Sequence, residues 1–430
     1  MIRHAPIPPL IRRARPSRGR HHSPSRPDGR VPRTGLVILA SAIFVSMTTE
    51  FLPGGLIPDI SSTFDRPVAE VGQLITVFAA AVIVATAPLA AATRRVARKT
   101  LAVVALAIIC IAGCLAALAP TFEVLVASRV LGGAAHGLFW AVAAAYAADL
   151  VPPTQLGRAM AITATGGSLA SILGIPIGNA LGQAFGWRTA FAAIAAVGLV
   201  VVALVVVLLP PVHSTAHFAP GPRAHRLVGG DGRAPASSTS AIVLVCVIIL
   251  LVVIGQTTVG TYSVVWLTEI ATLPEPAVPL YLLATGVAAL VAVTLVGRLA
   301  DAFPNGTLVV STTAVAFLMA CFPFAARAGL GALVPVAVAQ AMCFAVVPML
   351  LQTRMMRVAA PHQRVTAAAM QTTAFNIAIG GGAVIGGLVV SGLGLPALPW
   401  IAAALTAAGL CALLLSPPTP STRQKIHDVH

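Results

Sequence analysis

Apolar residues fall along this chain in twelve runs of about 20 residues each. They lie at roughly 36–57, 70–92, 100–119, 122–148, 157–181 and 188–209, and, after a polar break, at 241–267, 279–302, 307–326, 330–352, 366–391 and 396–416. A helix needs about 20 residues to cross a hydrocarbon layer of about 30 Å. Strands of a membrane barrel would alternate apolar and polar residues, and these runs do not. The pattern therefore predicts an all-α polytopic membrane protein. Its twelve transmembrane helices should form two six-helix bundles related by pseudo-symmetry. The expected domains are a disordered basic tail (1–34), an N-terminal bundle (35–209), a linker (210–240), a C-terminal bundle (241–416) and a second tail (417–430).

Composition agrees with lipid as the solvent. Of 430 residues, 58% are hydrophobic and 9% charged, against roughly 25% charged in a soluble domain. The net charge is +15. A basic chain can suggest nucleic acid, but here the basic residues sit between apolar runs. With the amino terminus inside and the helices alternating, most of the 27 Lys and Arg fall on one side, among them Arg94, Arg95, Arg98 and Lys99. That bias sets orientation and places both termini in the cytoplasm; nucleic acid is not an expected partner. The six cysteines all lie inside apolar runs without a C-x-x-C spacing, so packing explains them better than metal or disulfide chemistry.

A few runs carry strongly polar groups. Run 1 holds Glu50, run 4 Arg129 and His136, run 7 Gln256 and Tyr262, and run 10 Gln340. Such groups face a bundle interior or a wet cavity, so runs 1, 4, 7 and 10 should line a central cavity and runs 3, 6, 9 and 12 should face lipid. Glu50 lies about 21 Å along its run, and Arg129, entering from the other side, about 10 Å along its own. Their shared level makes an ion pair feasible. It could couple protons to transport, because burial favours a neutral carboxyl and a nearby cation favours the charged one, or it could simply join helices 1 and 4. His136 should lie about 10 Å deeper, with Trp140 continuing its face; relay, ligand and packing roles all stay open for it. Pro53, Gly54, Gly55 and Pro58 weaken the end of run 1 and free backbone carbonyls there, which suits a gate or a plain helix terminus.

Four stretches resemble the major facilitator superfamily, specifically its twelve-span drug:proton antiporter branch of sugar, nucleoside and chloramphenicol exporters. They are Thr49-Glu50-Phe51-Leu52 with Gly55-Leu56-Ile57-Pro58-Asp59; Arg129 to Trp140; Leu173-Gly174-Ile175-Pro176-Ile177-Gly178-Asn179-Ala180-Leu181-Gly182; and Gly297-Arg298-Leu299-Ala300-Asp301. The first-half loop departs from the family pattern, with Pro88 and Ala92 where a Gly and an Asp are expected. The resemblance implies export of a small organic molecule in exchange for protons, by alternating access, in a bacterial cytoplasmic membrane. Glu50 and Arg129 would handle the proton. Phe51, His136, Phe139, Trp140, Gln256, Tyr262, Gln340 and Asn376 would contact the substrate. Pro53, Gly54, Gly174, Pro176, Gly178, Arg298 and Asp301 would serve gating. The expected partners are the substrate, protons and lipid, with the protein a monomer. Neither enzyme activity nor a cofactor or metal is expected, since the loops offer no paired carboxylates, phosphate-binding loop or metal cluster. The rival readings are an uncoupled facilitator and a membrane-embedded sensor of the same fold.

Overall fold

A computed structural model describes residues 33–151, 155–210, 236–360 and 363–416. The expected basic tail, nearly all of the linker and the second tail lie outside the described residues. The first six spans comprise α1 (Arg33–Phe51), a short α2 (Ile57–Phe64), α3 (Val68–Ala92), α4 (Arg98–Ala117), α5 (Phe122–Asp149), α6 (Leu156–Leu169) with α7 (Ile175–Phe185), and α8 (Trp187–Leu208). The last six comprise α9 (Ala236–Thr261), a short α10 (Ser263–Glu269), α11 (Val278–Ala302), α12 (Pro304–Ala328), α13 (Leu330–Val358), α14 (Arg364–Gly392) and α15 (Leu398–Leu415). Twelve stretches are long and apolar enough to cross a bilayer, and the described residues contain no strand.

Both halves break their first span at its far end. The α-helix of α1 stops at Phe51 and becomes a 3-10 turn over Leu52–Gly55, with Pro53 at its start. In the second half, α9 stops at Thr261, and α10 follows Tyr262. The fifth span is interrupted too. Ala170–Gly174 forms a π-helical turn before Pro176, because proline supplies no N–H to the turn before it.

Small residues set the packing. Gly166, Gly174, Gly178 and Gly182 on the fifth span meet Ala40, Thr48, Leu52 and Leu56 on the first. The four contacts keep one constant register along two parallel helices. A Cβ at Gly166 would run into the Ala40 backbone, and at the other three into the side chains of Thr48, Leu52 and Leu56, so the backbones come close at Gly166 and the partner's side chains fill the space at the rest. The second half repeats the device, with Gly382 and Gly386 of α14 against Thr257 and Thr258 of α9.

At the end where α1 begins, each half is tied by a cation. Arg98 on α4 pairs with Asp149 at the foot of α5, and Lys99 donates to the last carbonyls of the sixth span, Val206 O at 2.7 Å and Leu209 O at 2.6 Å. Arg354 at the foot of α13 donates to Asn305 Oδ1 at 3.1 Å and to Ser416 Oγ at 2.6 Å. The cation sits on α4 in one half and on α13 in the other, but it joins corresponding helices.

Candidate transport site

The end of α1 leaves backbone carbonyls without helical partners. Pro53 has no N–H for Thr49 O, and the 3-10 turn draws the following groups out of register. Side chains of neighbouring helices take them up. Arg129 on α5 donates through Nη1 to Thr49 O and through Nη2 to Glu50 O, each at 2.8 Å, and Asn179 on α7 donates to Gly55 O. Arg129 Nε reaches Leu74 O at 3.4 Å, and the guanidinium lies 4.2 Å from the centre of the Phe78 ring. With 2% of its surface exposed, this cation is held by carbonyl dipoles and an aromatic face.

The Glu50 carboxylate, also buried at 4% exposure, meets a different partner. Its Oε2 lies 3.4 Å from His136 Nε2, and His136 Nδ1 is 2.9 Å from Ser46 Oγ. This differs from the expected ion pair with Arg129, and the reason is directional. A helical side chain leans back toward its own amino terminus, while the backbone carbonyls point the other way. Arg129 therefore stands at the carbonyl level of Glu50, and His136 one level back, where the carboxylate reaches. Phe78 closes the cluster, its ring centre 5.2 Å from that of His136.

Chemically, the arrangement tolerates either charge state of Glu50. A neutral imidazole has one N–H and one free nitrogen, and the Ser46 hydroxyl can donate or accept. Once the 3.4 Å gap closes by a few tenths of an ångström, a carboxylate is matched by His136 with the proton on Nε2 and Ser46 donating to Nδ1. A carboxylic acid is matched by the other tautomer, with Ser46 accepting. One proton can thus enter or leave with these three side chains still matched.

A cavity of about 520 Å³ lies between the halves, away from this cluster. Ser168, Ser171 and Ile172 around the π-helical turn form one wall; Gln256 of α9, Tyr281 and Thr285 of α11, Phe322 of α12 and Gln340 of α13 form the others. Gln340 Nε2 donates to Gln256 Oε1 at 2.6 Å. A smaller cavity of about 200 Å³ shares Gln256, Gly260, Ser263, Ile175 and Leu282 with the first and extends to Phe51, Gly54 and Gly55. The 3-10 turn after Glu50 is therefore its wall.

Contacts joining the halves cluster at the end where α1 stops. Gln73 and Thr76 of α3 donate to Ala383 O at 3.2 Å and Gly380 O at 3.0 Å of α14. The Tyr262 hydroxyl lies 3.2 Å from Ala69 O and 3.1 Å from Ala383 O, with its ring against Gly72 and Gly386. Gln183 donates to Glu275 O at 2.8 Å.

These positions sort the residues singled out from the sequence. Gln256 and Gln340 line the large cavity, and Phe51, Gly54 and Gln256 the small one. His136 belongs to the Glu50 cluster. Phe139 is fully buried in packing, and Trp140 is 38% exposed with its ring centre 6.1 Å from that of His136. Tyr262 is part of the seal, and Asn376 donates to Thr372 O of its own helix at 3.0 Å. Pro53 shapes the end of α1, while Gly174, Pro176 and Gly178 shape the bulged fifth span. Arg298 and Asp301 lie on α11, and their side chains fall outside the described residues. The expectation that only every third span walls the cavity is corrected: spans 5, 8 and 9 contribute, the last through Met319 and Phe322. Sequence reasoning missed Tyr281 and Thr285, although their spacing of four places both on one helical face.

Known proteins agree with this architecture. The family model described as Major Facilitator Superfamily matches residues 39–272 and 245–429. A chloramphenicol efflux pump of Mycobacterium tuberculosis is 34% identical over 362 residues, covering 82% of this chain and 84% of the pump. A protein described as a "probable sugar efflux transporter" of Mannheimia succiniciproducens is 28% identical over 387 residues, with 90% and 94% of the two chains covered. Among solved structures, a nucleoside transporter superposes with a TM-score of 0.69 at 13% identity, covering 89% of this chain and 99% of that one. An inward-facing bacterial homologue of the human lysosomal transporter Spinster superposes at 0.65 and 14% identity, with 88% and 93% covered. The chain belongs to the Major Facilitator Superfamily.

Proposed function

We propose that this protein exports a small organic molecule in exchange for protons, with Glu50 carrying the proton and Arg129 fixing the helix end on which Glu50 stands. One observation carries the reading: a buried carboxylate 3.4 Å from an imidazole that is itself matched by a hydroxyl. Carboxylates inside a membrane are costly, and those present mark proton or substrate paths. Efflux-type relatives support the direction of transport. The cavity and the carboxylate are separate but linked through Phe51–Gly55, so a change of charge at Glu50 acts on the cavity wall. Tyr262, Gln73 and Thr76 close the end that the basic loops place outside. In the bacterial cytoplasmic membrane, the two bundles rock about the central cavity, and the closed end opens when the other shuts.

The test uses inverted vesicles with an imposed pH gradient and no other energy source. Wild-type protein accumulates substrate against its gradient and stops when a protonophore is added. Glu50→Gln abolishes accumulation but retains exchange of labelled for unlabelled substrate. Uphill accumulation by Glu50→Gln, or protonophore-insensitive accumulation by the wild type, sinks the coupling role; the second result favours an uncoupled route.

A further inference from the structure

We propose that the large cavity selects uncharged molecules bearing both hydrogen-bond donors and acceptors, and that the Gln256–Gln340 pair is its specificity-determining element. The inference rests on the reading of this cavity as the cargo site and adds the class of cargo.

The first argument is electrostatic. Among the described residues, no Asp, Glu, Lys, Arg or His lines the cavity of about 520 Å³. Glu50, Arg129 and His136 are engaged with one another, with backbone carbonyls and with Ser46, and none of them lines it. A cation or anion entering here loses hydration without gaining a counter-charge, which costs far more than burying a neutral polar group.

The second argument is the inventory of polar atoms. The Ser263 hydroxyl donates to Gly260 O at 2.9 Å, and the Thr285 hydroxyl lies 3.1 Å from Tyr281 O and 3.0 Å from Leu282 O. Their donors are used on their own helices, as is that of Ser171 on Gly167 O at 3.5 Å, so these three offer cargo only acceptor lone pairs, while the Ser168 and Tyr281 hydroxyls add two groups that can donate or accept. Gln340 spends one N–H on Gln256 Oε1. The Gln256 amide then retains its two N–H donors, and Gln340 retains its second N–H and its carbonyl oxygen. The site thus presents donors and acceptors within apolar walls that include Ile172, Met319 and Phe322. A molecule with hydroxyls or amides beside an apolar face matches both parts. One that can only donate or only accept leaves part of the amide pair unmatched.

Equilibrium binding to purified protein in nanodiscs, with no pH gradient, tests this. The probes are radiolabelled chloramphenicol and uridine, both neutral, and tetraphenylphosphonium, a permanent cation. Wild-type protein binds at least one neutral probe more tightly than the cation. Gln256→Glu keeps the acceptor for Gln340 and adds a charge; it gains at least about tenfold in affinity for tetraphenylphosphonium. A gain of this kind does not arise from misfolding. Gln340→Leu weakens the neutral probe and leaves the cation unimproved. The proposal is overturned if wild-type protein prefers the cation, if neither neutral probe binds up to millimolar concentration, or if Gln256→Glu gains no affinity for tetraphenylphosphonium. Binding without uphill transport would sink the proton-exchange reading alone, whereas proton-driven transport of the cation by the wild type would sink this one alone.

Discussion

The two halves share a fold but spend their polar groups in opposite ways. In the first, Glu50, Arg129 and His136 are packed against carbonyls, a hydroxyl and an aromatic ring, with almost no surface exposed. In the second, Gln340, itself buried at 6% exposure, bonds the half-buried Gln256, and both line a cavity rather than a packed cluster. Charge is confined where the structure is tight, and neutral amides stand where it is hollow. A charge can be kept in a membrane only if its surroundings are organised for it; an amide pair can face an empty cavity and be undone at modest cost. Under the proposed function, the first half holds the proton, and the second brings the amide pair to a cavity that both halves wall.

The largest effect should come from breaking the packed side of this contrast. Arg129→Leu strips three buried carbonyls, those of Thr49, Glu50 and Leu74, and a carboxylate's neighbourhood of their cation. At about 1–3 kcal/mol per unsatisfied buried group, it should lower the thermal unfolding midpoint of detergent-solubilised protein strongly. Gln340→Leu, on the hollow side, should change that midpoint little. Equal destabilisation by both would erase the distinction.

Glycines sharpen the contrast at the next level. Gly166→Val drives a side chain into the Ala40 carbonyl, and overpacking of this kind costs about 1–3 kcal/mol. Gly260 lines both cavities, and a Cβ added there would meet nothing within 4 Å. Gly260→Ala should fold normally and affect only cargo affinity. Yield and melting of the two variants, measured side by side, check this.

The smallest expected effect is at the sealed end. Asp59 on α2 is held above the ordinary carboxylate value of 3.8, first by burial and then by the charge of Glu275 across the seal. A raised value means that the arrangement with the two groups close binds the proton more tightly than a free carboxyl does. Closure of this end should therefore be favoured at low pH, most fully below the ordinary value, and the advantage should fade as pH rises through the raised one. Spin-label distances between α2 and the Glu275 turn should shorten on acidification, and Asp59→Asn should flatten that response.

Much of this was legible in the sequence. The twelve spans follow from uninterrupted apolar length, because lipid leaves the backbone few alternatives to a helix. The break after Glu50 followed from Pro53 and two glycines. The identity of the carbonyls' partner did not, since it depends on the lean of a side chain against the direction of a carbonyl. The walls of the cavity were also only half visible. Strongly polar residues announced Gln256 and Gln340, while Ser171 and Thr285 are hydroxyl residues that an apolar helix can carry for its own backbone, and Tyr281 is a mostly apolar ring that blends into its run. The part played by α12 depended on the rotation of Met319 and Phe322, and in a lipid-facing helix hydrophobicity does not distinguish the inner face from the outer.

The register between the first and fifth spans has a mechanical consequence. Thr48, Leu52 and Leu56 sit in notches left by Gly174, Gly178 and Gly182, so neither rod can slide past the other without a collision at every turn. The matched register favours their travelling as a single beam. That beam carries Glu50 on one rod and Ile172 of the cavity wall on the other, so under the proposed exchange a displacement begun at the acid would reach the cargo by leverage, without the two ever touching.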